Sequence, residues 1–85
     1  MEVRVTELPG VLILEPARYG DARGFFTESW SRRTMEAAGL DIEFVQDNLS
    51  LSRDVGTIRG MHYQSPPHAQ LKLVSCTRGR ITDVV

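Results

Sequence analysis

Several things are scarce in this chain, and each scarcity excludes something. It has a single cysteine, Cys76, so no internal disulfide is available and a reducing cytosol is the expected setting. The longest aliphatic run, Val11-Leu12-Ile13-Leu14, is far shorter than the ~20 residues that cross a bilayer as a helix. Glu2 and Arg4 interrupt the apolar residues at the N-terminus, so no signal peptide is expected. Ten basic residues against eleven acidic ones give a net charge of -1 with no basic cluster, which argues against nucleic acid or a membrane surface as the main partner. Lysine is the rarest cation. Of the ten basic residues nine are arginine, and Lys72 stands alone. An ammonium is a compact point charge whose pKa shifts on burial, whereas a guanidinium is planar and permanently charged.

The composition is otherwise that of an ordinary globular protein, 41% hydrophobic and 25% charged. At 85 residues the chain makes one domain at most, and a chain of this size buries only about 60–65% of its unfolded surface. Residues 11–15 are aliphatic and β-branched, with Pro9-Gly10 before them and Pro16 after, which predicts a buried strand between two breakers. Tyr19-Gly20-Asp21-Ala22-Arg23-Gly24 is turn-rich. Residues 25–29 read as a short extended segment. Ser31 is placed to cap a helix over residues 32–38 that Gly39 ends.

From residue 43 onward the pattern predicts β structure throughout. Phe44, Gln46, Asn48 and Ser50 share one face of an extended segment, and Val45, Asp47 and Leu49 share the other. Further strands are expected over residues 57–64, 70–76 and 80–85, with Ser65-Pro66-Pro67 stopping the first and Arg78-Gly79 turning into the last. Short strands at close spacing with one minor helix indicate an all-β sandwich or barrel. The count is about five or six strands, where a closed jelly roll has about eight. The chain stops at Asp83-Val84-Val85 in mid-strand, so the expectation is the first half of a larger fold. Completion by dimerisation is the alternative.

Three stretches carry a family resemblance. They are Gly20-Asp21-Ala22-Arg23-Gly24-Phe25-Phe26-Thr27-Glu28-Ser29, then Phe44-Val45-Gln46-Asp47-Asn48, then Arg59-Gly60-Met61-His62-Tyr63-Gln64 followed by Pro66-Pro67-His68-Ala69-Gln70-Leu71-Lys72-Leu73. In this order they closely resemble the dTDP-4-dehydrorhamnose 3,5-epimerase family, from Leu8-Pro9-Gly10-Val11 to the end of the chain but over only about half of that family's usual length. The resemblance implies a cupin-type jelly roll, a homodimer, and a substrate that is a nucleotide-linked 4-keto-6-deoxy sugar. It implies that His62 is the base that removes protons from C3 and C5, and that Lys72 stands near the developing enolate. It further implies that Arg23, Glu28, Gln46, Asn48 and Arg59 hold the dTDP-sugar with Phe26 close by, and that Arg23 and its neighbours serve the partner subunit's site. The family's tyrosine proton donor falls beyond Val85, so the chain is expected to carry the base without the acid.

The chemistry asks for these residue types on its own account. A proton beside a ketone leaves only if the enolate oxygen is stabilised as charge develops. An imidazole with an unperturbed pKa of about 6.5 suits a general base, and one donor near the oxyanion is often worth ~3–4 kcal/mol. Inversion needs a second donor on the other face of the sugar, and Tyr63 points away from His62 on any regular strand.

Strand parity adds two expectations. With a turn at Arg78-Gly79, Lys72 becomes a diagonal neighbour of Asp83 at ~7–8 Å, which allows either a structural ion pair or a device that aims the ammonium. Arg59 and His62 have opposite parity on an unbroken strand, so a bulge or other departure from regular pairing is expected near Gly60.

Other assignments stay open at this stage. A metal cupin presents close histidines and a carboxylate, but no Asp or Glu lies between Asp54 and Asp83 and His68 sits in a loop, so no metal is expected; no redox cofactor is expected because the implied substrate already carries its ketone. Arg23 and Arg59 read either as solvated charges or as fork-shaped cations for a diphosphate. Gln46 and Asn48 read either as sheet-surface amides or as ligands for a base or sugar. Phe25 and Phe26 alternate faces, one for the core and one for stacking, and Cys76 is expected to fill core volume. The alternatives in function are a single-position 3- or 5-epimerase, a metal-dependent cupin and a catalytically silent nucleotide-sugar binding module.

Overall fold

Two β-hairpins and one capped helix make up the regular structure of the chain, which a computed structural model describes over residues 1–85. It divides into two units, Met1–Glu43 and Phe44–Val85.

In the first unit, β1 (Glu2–Val5) pairs antiparallel with β2 (Leu12–Glu15), Val3 opposite Leu14 and Arg4 opposite Ile13. The expected strand is therefore present, one residue shorter at its start, but it is not buried, because nothing covers either face of this two-stranded hairpin: Leu12 is 38% and Ile13 45% exposed. Its connection is built by Leu8-Pro9-Gly10-Val11. The Val11 N–H donates to the Leu8 carbonyl at 3.1 Å and Gly10 has φ 84, the pattern of a type II turn with Pro second and Gly third. The Thr6 hydroxyl lies 2.8 Å from the Val11 carbonyl, tying the two ends of the loop together. Arg4 and Glu15 are diagonal neighbours on one face and form an ion pair. It is solvent-exposed and worth at most about 1 kcal/mol.

The second hairpin joins β3 (Arg18–Asp21) to β4 (Gly24–Thr27), in the register Tyr19 opposite Phe26 and Gly20 opposite Phe25. The turn-rich stretch thus contributes Gly20 and Asp21 to a strand, and only Ala22 and Arg23 make the loop. Mirror-image hairpin turns need positive φ at central residues. Here Gly24, with φ 134, is the residue that takes the unusual backbone, and no non-glycine residue has positive φ. The Asp21 carboxylate accepts the Arg23 backbone N–H at 2.8 Å, an Asx-type closure of the turn.

Helix α1 covers Arg32–Ala37, with Ser31 as N-cap accepting from the Thr34 N–H. At its end Gly39, φ 81, donates to the Glu36 carbonyl and Leu40 donates to the Met35 carbonyl, both at 2.9 Å. These two bonds are a Schellman stop, which requires the left-handed conformation that glycine takes without strain. Six residues cannot sustain a helix in water alone. Its support is Met35, the one buried side chain at 2% exposure.

The second unit departs from expectation. No strand forms in Phe44–Val85, so the ladders expected over 57–64, 70–76 and 80–85 are absent. Apart from half-buried Phe44, the apolar side chains of this unit are open to solvent, Ile58 at 90% and Leu49 at 88%. A period-2 pattern makes a segment able to pair, but a ladder needs a partner edge and a covered face, and short isolated strands are marginal in water. Two turns do form. Thr57 N–H donates to the Asp54 carbonyl at 3.3 Å with Gly56 at φ 84, and His68 N–H donates to the Ser65 carbonyl at 2.9 Å across the cis Pro66–Pro67 bond. Cys76 is exposed rather than part of a core, because this unit has no core to fill. What the structure shows as a whole is a small β-rich chain with one short helix.

Candidate functional site

The hairpin of β3 and β4 carries the first group of candidate side chains. Arg23 sits at its tip, where the Asp21 carboxylate accepts from Arg23 Nη2 at 2.7 Å and from Nε at 3.2 Å. Through these side-chain bonds first, and the backbone bond from Arg23 second, the Asp21 carboxyl is held below the usual carboxylate range, and the Arg23 guanidinium is correspondingly raised by its bond to Asp21. Asp21 occupies the side edge of the guanidinium, and the end edge formed by the two terminal nitrogens faces solvent. A shallow concavity beside it is lined by Tyr19, Asp21, Arg23, Gly24, Phe25 and Phe26.

The two phenylalanines do alternate faces, yet neither enters a core: Phe25 is 60% exposed and Phe26 71%. Gly20, opposite Phe25, has no side chain to cover that ring. The Arg18 guanidinium does so instead, 4.1 Å from the ring centroid, a cation–π contact. Phe26 lies across from Tyr19 on the other face, so a flat surface is available there for stacking. Glu28 follows β4, and its carboxylate accepts the Thr34 hydroxyl at 2.6 Å, which anchors it to α1.

The remaining candidates belong to the second unit. Gln46 Nε2 donates to Asn48 Oδ1 at 3.1 Å, so these two amides lie side by side in a segment that forms no strand. Arg59 is fixed by two bonds, Nε to Ser52 Oγ at 3.0 Å and Nη2 to the Leu51 carbonyl at 2.7 Å. Arg59, expected inside a strand, instead finds neutral oxygen partners within its own unit, brought back beside it by the turn from Asp54 to Thr57.

His62 folds over the glycine two residues before it. A Cβ placed on Gly60 would lie 3.4 Å from His62 Nδ1 and 3.3 Å from the His62 backbone nitrogen. Gly60 has φ 102. The bulge expected near Gly60 has no ladder to interrupt, because residues 57–64 pair with no strand. Both features explain why glycine stands there: another residue would be strained in this backbone and would press on the imidazole.

Lys72 is exposed and makes no ion pair with Asp83. The expected contact depended on a regular hairpin through Arg78-Gly79, and without that ladder the diagonal relationship is lost. No group of three or more His, Cys, Asp or Glu side chains is arranged to hold a metal ion. No helix is long and apolar enough to cross a membrane.

The structure therefore brings together Arg23 with Asp21, Glu28 with Thr34, Gln46 with Asn48, Arg59 with Ser52, and His62 with Gly60. It does not join His62 to Lys72 by any hydrogen bond or ion pair. Sequence reasoning missed Thr34 and Ser52. The signal for Ser52 was present in the Asp54-Val55-Gly56 turn, which returns the chain and sets a hydroxyl beside Arg59.

Taken unit by unit, the chain is β-rich, with an arginine fork and a carboxylate in its first unit and paired amides, a second arginine and an imidazole in its second, side chains of the kind that bind polar and anionic groups. Comparison with known proteins sharpens this. The model of the dTDP-4-dehydrorhamnose 3,5-epimerase family matches residues 5–85. The chain is 53% identical over 85 residues to a dTDP-4-dehydrorhamnose 3,5-epimerase of Shigella flexneri, covering 99% of this chain and 46% of that protein. It is 49% identical over 78 residues to one of Pseudomonas aeruginosa, covering 91% of this chain and 42% of the relative. It is 48% identical over 85 residues to one of Escherichia coli, covering 99% and 45%. No solved structure matches the chain. The chain belongs to the dTDP-4-dehydrorhamnose 3,5-epimerase family. It spans about half the length of the curated relatives it matches.

Proposed function

We propose that the complete protein carrying this chain is a metal-independent isomerase that epimerises a dTDP-4-keto-6-deoxyhexose at C3 and C5, in the formation of dTDP-L-rhamnose. The observation that carries the reading is the family match across residues 5–85, within which every candidate side chain falls. In this reading residues 1–85 are the N-terminal part of a cupin-type jelly roll that continues further, assembled as a homodimer in the cytoplasm. The β-rich character of the chain and its single free cysteine support that reading.

His62 acts as the general base. It takes the proton from C3 or C5, the C–H electron pair moves into the carbon–carbon bond, and the C4 carbonyl oxygen becomes an enolate. Lys72 supplies positive charge near that oxygen, where a fixed donor is most effective because the charge appears only as the proton leaves. Reprotonation from the opposite face, by a donor outside these residues, returns the ketone with the centre inverted. No electrons are gained or lost, so no redox cofactor is required. Arg59 holds the diphosphate through the guanidinium edge that its own partners leave free, and Arg23 offers its free edge to the partner subunit's site. Gln46, Asn48 and Glu28 hydrogen-bond the thymidine and sugar, and Phe26 offers a ring for stacking.

The test is solvent deuterium incorporation into a dTDP-4-keto-6-deoxyhexose by the complete protein. Deuterium enters both C3 and C5 and persists after chelation. His62→Ala lowers exchange by about 10²–10⁴-fold, while dTDP binding changes little. Unchanged exchange in that variant removes His62 as the base. Deuterium at one carbon alone identifies a single-position epimerase, binding without exchange identifies a silent binding module, and loss on chelation identifies a metal-dependent cupin.

A further inference from the structure

We propose that Ser52, acting with the Leu51 carbonyl, is a positioning residue that aims the Arg59 guanidinium at the diphosphate of a nucleoside diphosphate sugar. The proposal rests on the reading of Arg59 as a ligand residue and adds how that ligand is held ready. An arginine side chain offers five N–H donors in a rigid fork. Ser52 Oγ takes the Nε donor at 3.0 Å and the Leu51 carbonyl takes one Nη2 donor at 2.7 Å. Nε and Nη2 form the side edge of the guanidinium, so that edge is fully engaged. The end edge, with one N–H from each terminal nitrogen, is left for a pair of anionic oxygens, the bidentate geometry that guanidinium makes with phosphate.

Both partners are neutral. Arg59 is therefore in no ion pair, in contrast to Arg23, whose side edge is held by the Asp21 carboxylate. A neutral clamp fixes direction without opposing an anion, and fixing a flexible side chain beforehand reduces the ordering cost of binding. Local geometry makes the clamp possible. The turn closed by Thr57 N–H on the Asp54 carbonyl, with Gly56 at φ 84, sends the chain back so that residue 59 meets residues 51 and 52.

The experiment compares dTDP with thymidine, which lacks the diphosphate, by calorimetry on the complete protein. Ser52→Val, which removes the hydroxyl and matches the branched shape of the Ser52→Thr variant, weakens dTDP about five- to tenfold and leaves thymidine unchanged. Ser52→Thr restores the native dTDP affinity. In an Arg59→Ala background the Ser52→Val substitution has no further effect on dTDP. Should Val be too disruptive for the fold, Ser52→Ala is read by the same comparison. If Arg59→Ala weakens dTDP while Ser52→Val does not, the positioning role is wrong and Arg59 stands as a ligand. If Arg59→Ala leaves dTDP affinity intact, the ligand reading fails and takes the Ser52 role with it. Equal losses for dTDP and thymidine, or a Ser52 effect that survives without Arg59, also overturn the proposal.

Discussion

Replacing Gly60 by alanine tests whether this glycine holds His62 where a base must stand. The backbone at Gly60 has φ 102, a conformation that costs an L-residue about 1–3 kcal/mol. The new Cβ would also meet the His62 backbone nitrogen at 3.3 Å and its Nδ1 at 3.4 Å. The first of these atoms is main chain, so the segment can relieve the crowding only by rotating and carrying the imidazole with it. A displacement of about 1 Å at a reacting group can cost about 10²-fold in rate, so Gly60→Ala is expected to slow deuterium exchange at C3 and C5 by about tenfold to hundredfold. Gly79→Ala is the control. Gly79 has φ 83 and open space where its Cβ would go, so it pays a similar backbone cost and presses on nothing. Exchange is followed by proton NMR in heavy water, and stability by urea denaturation of both variants. The reasoning is refuted if Gly60→Ala exchanges at the native rate, or if both variants lose stability and exchange in parallel.

Two further perturbations address the first unit. Because Asp21 has a lower pKa folded than unfolded, its bond to Arg23 contributes fully above the unfolded value and is lost as pH falls through the folded one. An NMR titration of the Asp21 carboxyl should therefore give a lower midpoint in the native protein than in Arg23→Ala, and equal midpoints would show that Arg23 is not the cause. Met35→Ala removes the one buried side chain, 2% exposed, and should destabilise by about 2–3 kcal/mol in urea denaturation. A loss below about 0.5 kcal/mol, the range of ordinary surface changes, would mean that Met35 supports nothing.

Local signals were legible where a few neighbouring residues settle the outcome. Ser31 and Gly39 bracket α1 as read, because an N-cap hydroxyl and a left-handed stop are chemistry within one turn of chain. Pro9-Gly10 turns β1 into β2 for the same reason. Gln46 and Asn48 do stand side by side, joined by an amide hydrogen bond between residues two apart in the chain. Family membership was legible too, carried by the residues around Arg23, Gln46 and His62 and matched over residues 5–85.

Other features needed neighbours that a sequence pattern does not name. The ladders expected after residue 43 are absent, and with them went the Lys72–Asp83 diagonal and the core position of Cys76. Strand pairing is set by which edge meets which, and burial by what covers a face, neither of which alternation supplies. Likewise Phe25 is covered by Arg18 because Gly20 stands opposite it, a fact of register. Residue types and their order therefore determined the turns, the caps and the family. Three-dimensional contact alone decided that Asp21 holds Arg23, that Thr34 holds Glu28 and that Ser52 holds Arg59, because a hydrogen bond depends on where two atoms meet within about 3 Å.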